Sequence, residues 1–398
     1  MTNSSAAHSI HDKTAIVGVG ATPYYKRAES LPQSQLELAA KAILAALDDA
    51  GLKIQDVDGL AYYCGGLDSA MLAQVLGIPE VRFTATLTGG GGGSAGSIGL
   101  AAAAIVSGHA DVVVSVLSLQ QPGLDRLGTG NSSMYPKTAV PERDFIDPSG
   151  LIGPGQAFGL LAKRHMHLYG TEREHFAEVA ISTRENAARR ETALMRKPMT
   201  REDYFEAPLI ADPLCLFDFC LETDGAVAIV TTSAERANDL RHDPVLVSAS
   251  AQGGSGRWGS SITWMNMEDE VFASSGHRSL APQLYERAGC RPADVDVALI
   301  YDHFSPLVIM QLEDYGFCEI GEGGPFVADG NIRWESGSLP VNTHGGNLSE
   351  GYIMGMTHVM EAVEQLRGTA VNQVDGAEVA LVTGGPASIP VSSLILHN

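Results

Sequence analysis

Five consecutive glycines, Gly89 to Gly93, stand before an alanine-rich stretch with helical spacing, and a short apolar run follows it. Glycines that open a helix let backbone amides approach something more closely than a side chain would permit. The run GGGGGS lacks the Gly-Lys-Ser/Thr ending of a phosphate-binding loop. No Gly-x-Gly-x-x-Gly with a correctly spaced acidic residue is present either, so nucleotide binding there is not indicated. A second group is cationic: RENAARRETALMRKP holds Arg184, Arg189, Arg190, Arg196 and Lys197. Such a group suits a ligand's phosphates, and it equally describes a solvated helix face paired with Glu185 and Glu191. His165 and His167 are two residues apart, so they do not share a helix face and make no metal site. The cysteines, at 64, 215, 220, 290 and 318, are odd in number, scattered and without a CxxC pair, which points to a reduced, cytoplasmic protein.

Whatever these residues do, they need a large frame. At 398 residues the chain exceeds the usual span of one hydrophobic core, so two halves are expected. A net charge of −21 with 6% aromatic residues excludes a nucleic-acid partner, whose phosphates need a basic face. No apolar run is long enough to span a membrane, and MTNSSAAHSIHDK has neither the basic nor the apolar region of a signal peptide.

Strand and helix patterns alternate, the signature of an α/β protein. Ala15–Val19 reads as a strand, Ser34–Ala50 as a helix turning at Gly51, and Val57–Tyr63 as a strand. Gly96–Ser107 reads as a helix and Asp111–Leu117 as a buried strand. Later come the strand Val245–Ala249, the helix Ser279–Ala288, the strand Val295–Tyr301, a helix over Gly351–Leu366 and the strand Glu378–Thr383. One stretch recurs. AGLKIQDVDGLAYY (Ala50 to Tyr63) aligns with AGCRPADVDVALIY (Ala288 to Tyr301) at a constant offset of 238 residues. The glycine-led helix and its strand recur in the same order, so the fold is a duplicated α/β unit. Gln120 to Leu216 has no counterpart and reads as an insertion, helical over Glu172–Arg190. The expected organisation is a first half over residues 1–119 and 217–240, an inserted loop domain over 120–216, and a second half over 241–398.

Four segments in order resemble the thiolase superfamily, specifically its sterol-carrier or lipid-transfer branch. They are Met166–Thr200, Asp212–Ser233, YDHFSPLVIMQLEDYGFC (Tyr301 to Cys318), similar to an HDCF-type motif, and NTHGGNLSEGYIMG (Asn342 to Gly355), similar to NxxGGxxxxGHPxG. The resemblance implies a thiolase fold, with duplicated αβα halves in a five-layered αβαβα core and an inserted loop domain. It also shows what is missing. The thiolase nucleophile, a cysteine, falls near Gly91. Tyr352 replaces the histidine of GHP, Tyr301 stands at the first histidine of HDCF, and His303 takes its cysteine position.

Without thiolate and activating histidine, covalent acyl transfer loses its chemistry. A retro-aldol cleavage of a 3-hydroxyacyl-coenzyme A needs neither; it needs a base, a proton source and donors for a thioester enolate. The chain looks closest to thiolase-like aldolases that cleave steroid side chains, and that resemblance implies Tyr301 and Tyr352 as the acid–base pair. A free tyrosine titrates near ~10, so neighbours must help a phenol act as base; His303, His344 or Asp302 are candidates. His344 beside Gly345 and Gly346 could donate to the thioester oxygen or simply cap a helix. Asn342 and His303 are further candidates, whereas Asp302 reads as a structural acceptor. The glycine run, Gly91 included, is expected to widen the pocket for a bulky acyl group. The cations Arg184, Arg189, Arg190, Arg196 and Lys197 are candidates for coenzyme A, which enters as part of the substrate; no other cofactor and no metal is implied. Known relatives further imply a homodimer and a small OB-fold, zinc-ribbon partner of the DUF35 type, together a heterotetramer. Two other readings stay open: a thiolase using another cysteine, Cys64 first, or a non-catalytic acyl-CoA-binding subunit.

Overall fold

The computed structural model describes residues 9–63, 66–87, 90–121, 147–151, 153–255, 268, 272–385, 387 and 389–398. Among them the strands are β1 (Thr14–Ala21), β2 (Tyr25–Lys26), β3 (Gly59–Tyr63), β4 (Phe83–Leu87), β5 (Val112–Leu119), β6 (Leu209–Ala211), β7 (Leu214–Cys215), β8 (Thr223–Ser233), β9 (Val245–Gly253), β10 (Val297–Leu299), β11 (Val379–Gly384) and β12 (Val391–His397). The helices are α1 (Gln35–Ala50), α2 (Ser69–Leu76), α3 (Gly93–Val106), α4 (Pro154–Tyr169), α5 (Arg173–Arg189), α6 (Arg201–Glu206), α7 (Ala234–Ala237), α8 (Ala281–Ala288), α9 (Ser305–Asp314), α10 (Gly323–Ala328), α11 (Gly346–Ser349) and α12 (Met356–Leu366).

The duplication is visible in the strand order. In the first half β1 pairs antiparallel with β8, β8 antiparallel with β5, and β5 parallel with β3, which is parallel to β4. In the second half β9 pairs antiparallel with β12, β12 antiparallel with β11, and β11 parallel with β10. A parallel bridge between Ala298 and Val341 then stands where β4 stands in the first half. The half-sheets meet at β1 and β9, where Ala15 faces Leu246 and Ile16 faces Val245.

Alternation along the strands builds the layers. In β8, Ala226, Ala228 and Val230 point into a core shared with α1, while Val227 and Ile229 point into a core shared with α3 and α12. Helix α3 is buried on nearly all sides because it packs against β3, β5 and β8 of one half and β9, β11 and β12 of the other. Its small residues allow that approach: a Cβ at Gly96 would lie 2.6 Å from Gln252, and one at Gly99 2.4 Å from Ser250. With α1 outside the first sheet and α8 outside the second, the order is helix, sheet, helix, sheet, helix.

Most expected elements are found with ends shifted by a few residues, and two of the differences bear on the site. The strand over Val295–Tyr301 is regular at Val297–Leu299. The helix over Gly351–Leu366 begins at Met356, because Met354 and Gly355 take left-handed backbone angles, φ 46° and 86°, which no α-helix accepts. Tyr352 therefore lies in a loop between α11 and α12 instead of at a helix start.

Candidate active site

The parallel strand β10 ends facing the central layer, and Tyr301 follows within two residues. The carboxyl ends of parallel strands are where open α/β sheets place ligands. Thr383 Oγ1 accepts from the Tyr301 amide at 2.8 Å, and Gln311 Nε2 donates to the Tyr301 carbonyl at 2.9 Å. Gln311 is itself held by Thr383, whose hydroxyl donates to Oε1 at 2.6 Å. From the other side, the Tyr352 amide donates to Thr223 Oγ1 at 2.9 Å. These bonds bring two phenols together: Tyr301 Oη and Tyr352 Oη are 3.1 Å apart and both rings are buried.

The glycine run meets this pair. A Cβ built on Gly91 would lie 2.1 Å from Tyr301 Cζ and 2.3 Å from its Oη. The expectation that Gly91 widens the pocket is thus corrected. The missing side chain makes room for the Tyr301 ring. Gly355 serves the same ring, where a Cβ would lie 2.9 Å from Tyr301 Cδ2.

On the segments that carry or flank the phenols stand buried polar atoms that make no hydrogen bond among the described residues. They are both ring nitrogens of His303 and of His344, both side-chain polar atoms of Asn347, and Oε2 of Glu350. Each such atom costs about 1–3 kcal/mol if left unmade, so a polar ligand or water that met them would be stabilised here. The His303 ring lies 4.9 Å from the Tyr301 ring and edge-on to Phe158; burial holds its pKa down to about 3. The His344 ring lies 4.8 Å from that of His358. Burial, with His358 and Arg190 nearby, pushes it well below the ordinary imidazole value. Both imidazoles are therefore neutral at physiological pH.

Asp302 is the hub that holds this shell. Its carboxylate accepts from the Asn347 amide at 2.8 Å and the Leu348 amide at 3.3 Å, and lies 3.1 Å from His358 Nε2. It thus occupies the start of α11 and acts as a structural acceptor. Gly345 and Gly346 serve this packing: a Cβ would lie 2.6 Å from Ala187 at the first and 2.0 Å from Asp302 Oδ2 at the second. Both have left-handed backbone angles at the start of α11, are buried, and are closed to any side chain by this packing. Asn342 is also committed elsewhere. Its side chain accepts from the Ile300 amide at 2.7 Å and donates to the Ile300 carbonyl at 2.8 Å, extending the parallel bridge beyond β10. One N–H and one lone pair of this amide are thus committed to the backbone of Ile300.

The cationic group divides. Arg190 is buried and paired with Glu350 at 2.5 Å, Glu361 at 2.7 Å and Glu364 at 2.8 Å. Burial opposes its charge, and the three carboxylates outweigh that and raise its pKa. Arg184 is buried too, donating to Ser349 Oγ at 3.1 Å and lying over Phe217. Arg189 pairs with Glu335 at 2.9 Å and stacks on Trp334. Arg196 and Lys197 alone of the five are exposed and make no ion pair among the described residues. For the cysteines, burial pushes Cys318 up to about 12 and raises Cys215, Cys220 and Cys290 as well, so none is a ready thiolate. Cys64 lies outside the described residues.

The family described as thiolase C-terminal domain-like matches residues 256–397. The chain is 42% identical over 389 residues to a 17-hydroxy-3-oxo-4-pregnene-20-carboxyl-CoA lyase of Mycobacterium tuberculosis, covering 96% of this chain and 99% of that one. It is 39% identical to a steroid side-chain-cleaving aldolase of Thermomonospora curvata, over 96% of this chain and 97% of that one. The chain belongs to the thiolase-like steroid side-chain-cleaving aldolases. The solved structure of an Ltp2-ChsH2(DUF35) aldolase superposes with a TM-score of 0.89 at 38% identity, covering 98% of each chain. Lyase chemistry on a thiolase fold, with no thiol at the old nucleophile position, is thus the setting for the phenol pair.

Several members of this aldolase's site are not singled out by the sequence: Asn347, Glu350, His358, Glu361 and Gln311. One signal is available. In α12 the polar residues His358, Glu361 and Gln365 fall three and four apart on a helix that is buried on nearly every face, where polar groups need partners.

Proposed function

We propose that the protein cleaves a 3-hydroxyacyl-coenzyme A of the steroid side-chain type between C2 and C3, by a retro-aldol step, giving a ketone and a short acyl-CoA. The observation that carries this reading is the pair of phenols 3.1 Å apart, one ring filling the space of the absent residue-91 side chain. One phenol takes the proton of the 3-hydroxyl. The oxygen's electron pair forms the ketone C=O, the C2–C3 bond breaks, and its pair passes onto the thioester as an enolate. The other phenol returns a proton to C2. One proton is taken and one given, so neither free coenzyme A nor a redox partner is consumed. Because each phenol can donate to the other, a negative charge on one is met by a donor already in place. Neutral His303 and His344 supply donors for the developing enolate oxygen without carrying a charge of their own.

Of the five cations between residues 184 and 197, Arg196 and Lys197 are the ones left to meet coenzyme A phosphates. The working assembly is a homodimer joined by a small OB-fold, zinc-ribbon protein of the DUF35 type, and the protein acts in the cytoplasm. The reading is supported by the activities named for the two curated relatives and by the DUF35 component of the similar aldolase structure.

The test is incubation of the purified protein, alone and with such a partner, with a panel of 3-hydroxyacyl-CoA thioesters and no added coenzyme A. Ketone and shortened acyl-CoA in equal amounts are expected. Cleavage that requires free coenzyme A and stops on thiol alkylation would overturn it.

A further inference from the structure

Glu350 stands two residues before Tyr352 and is fully buried. Its Oε1 is engaged, receiving Arg190 Nε at 2.5 Å and the Thr192 hydroxyl at 3.2 Å. Its Oε2 makes no hydrogen bond and faces His344 Nε2 at 3.9 Å, and that nitrogen has no partner either. Two unpartnered buried atoms at this separation are within reach of one bridging water, or of a contact that tightens when substrate binds.

We propose that Glu350 is a positioning residue whose Oε2 proton is donated to Nε2 of His344, directly or through one water, fixing the Nδ1–H tautomer that donates to the thioester oxygen. The proposal rests on the retro-aldol reading above. A neutral imidazole carries one N–H, so a nitrogen that accepts forces the proton onto the other. An ionised Glu350 reverses this: it draws the proton to Nε2 and leaves Nδ1 an acceptor, which cannot stabilise an oxyanion. Glu350 thus sets whether His344 is a donor or an acceptor toward substrate.

The groups facing Glu350 are known from each element packed on it. Arg190 follows α5, Thr192 lies just beyond, Glu361 and Glu364 come from α12, Tyr24 follows β1, and His344 precedes α11. Burial raises the Glu350 carboxyl, Arg190 lowers it and Glu364 raises it, leaving it at about 7. Proton exchange at this carboxyl is therefore expected near neutral pH.

Glu350→Gln separates the possibilities. Its carbonyl oxygen can still accept from Arg190 and Thr192, while its amide donates toward His344 at every pH. In the wild type, kcat is expected to fall about tenfold per pH unit above roughly 7. In E350Q that limb should be absent up to pH 9, while in E361Q it should persist. An unchanged limb in E350Q, or a limb that disappears in E361Q instead, overturns the proposal. A second measurement needs no turnover and no variant at Glu350. In wild-type protein labelled with 15N-histidine, with the His344 signals assigned by their loss in H344Q, the Nδ1–H tautomer should prevail below pH 7 and give way to Nε2–H above it. A single tautomer throughout overturns the inference even if the protein cleaves. Absence of cleavage with the tautomer change intact counts against the retro-aldol reading alone.

Discussion

Gly91→Ala puts one methyl group where the structure has no room. The added carbon would lie 2.1 Å from Tyr301 Cζ, roughly 1.4 Å inside the closest ordinary carbon–carbon contact. The ring has little freedom to retreat. Tyr301 is 1% exposed, its amide and carbonyl are tied to Thr383 and Gln311, and Gly355 packs closely against the same ring. Something must give by about an ångström, and the 3.1 Å contact between the phenols is what that movement disturbs. Overpacking of this kind costs about 1–3 kcal/mol of stability, and an ångström of misplacement in a reacting group costs on the order of 100-fold in rate. The expected result is a folded protein of lowered Tm, kcat reduced about 100-fold or more, and KM little changed. Gly91→Cys should behave the same way and not become a thiolase, since its Cβ meets the same ring. Steady-state kinetics on the cleaved thioester and a thermal melt check both variants. Wild-type kcat in G91A, with Tyr301 and Tyr352 still in contact in its structure, would refute the reasoning.

Other outcomes follow from the same geometry. Tyr352→Phe removes one of the two hydroxyls and is expected to lower kcat by about 100- to 10,000-fold while leaving thioester binding, read by calorimetry, nearly intact. Arg190→Met strips the cation from three carboxylates, two of them buried, and is expected to lose about 3–5 kcal/mol in denaturant unfolding. Asn342→Ala breaks both bonds to Ile300; it should destabilise by about 1–3 kcal/mol and reduce kcat only as far as Tyr301 shifts. Stability should also depend on Glu350. Its folded pKa of about 7 lies above the ordinary 4.5, so the folded state binds the extra proton between those values. Its contribution is complete below about pH 4.5 and is lost as pH rises through 7, a decline that E350Q should remove from the pH dependence of unfolding.

The parts of this molecule that repeat or alternate are legible in its sequence. The offset between Ala50–Tyr63 and Ala288–Tyr301 corresponds to β3 and β10, each the fourth strand of its half counted from the β1–β9 junction. The Ser34 cap of α1 and its Gly51 stop also stand where the sequence places them. What a linear reading misses is which distant groups meet. Arg190 looks like a phosphate-binding cation because its carboxylates are far along the chain, Glu361 being 171 residues away. Asn342 looks free because its partner is the backbone of Ile300, which has no side-chain signature. The emptiness at residue 91 is legible, but its occupant is not: only the folded chain brings Tyr301 across 210 residues to fill it.

The most direct test of the central claim follows the enzyme itself during turnover. Protein mixed with a 3-hydroxyacyl-CoA is quenched on the millisecond scale and its intact mass recorded as ketone accumulates. Catalysis by two phenols leaves the protein at its unmodified mass at every time point. A mass increment equal to the acyl fragment, rising and decaying with turnover, would contradict it.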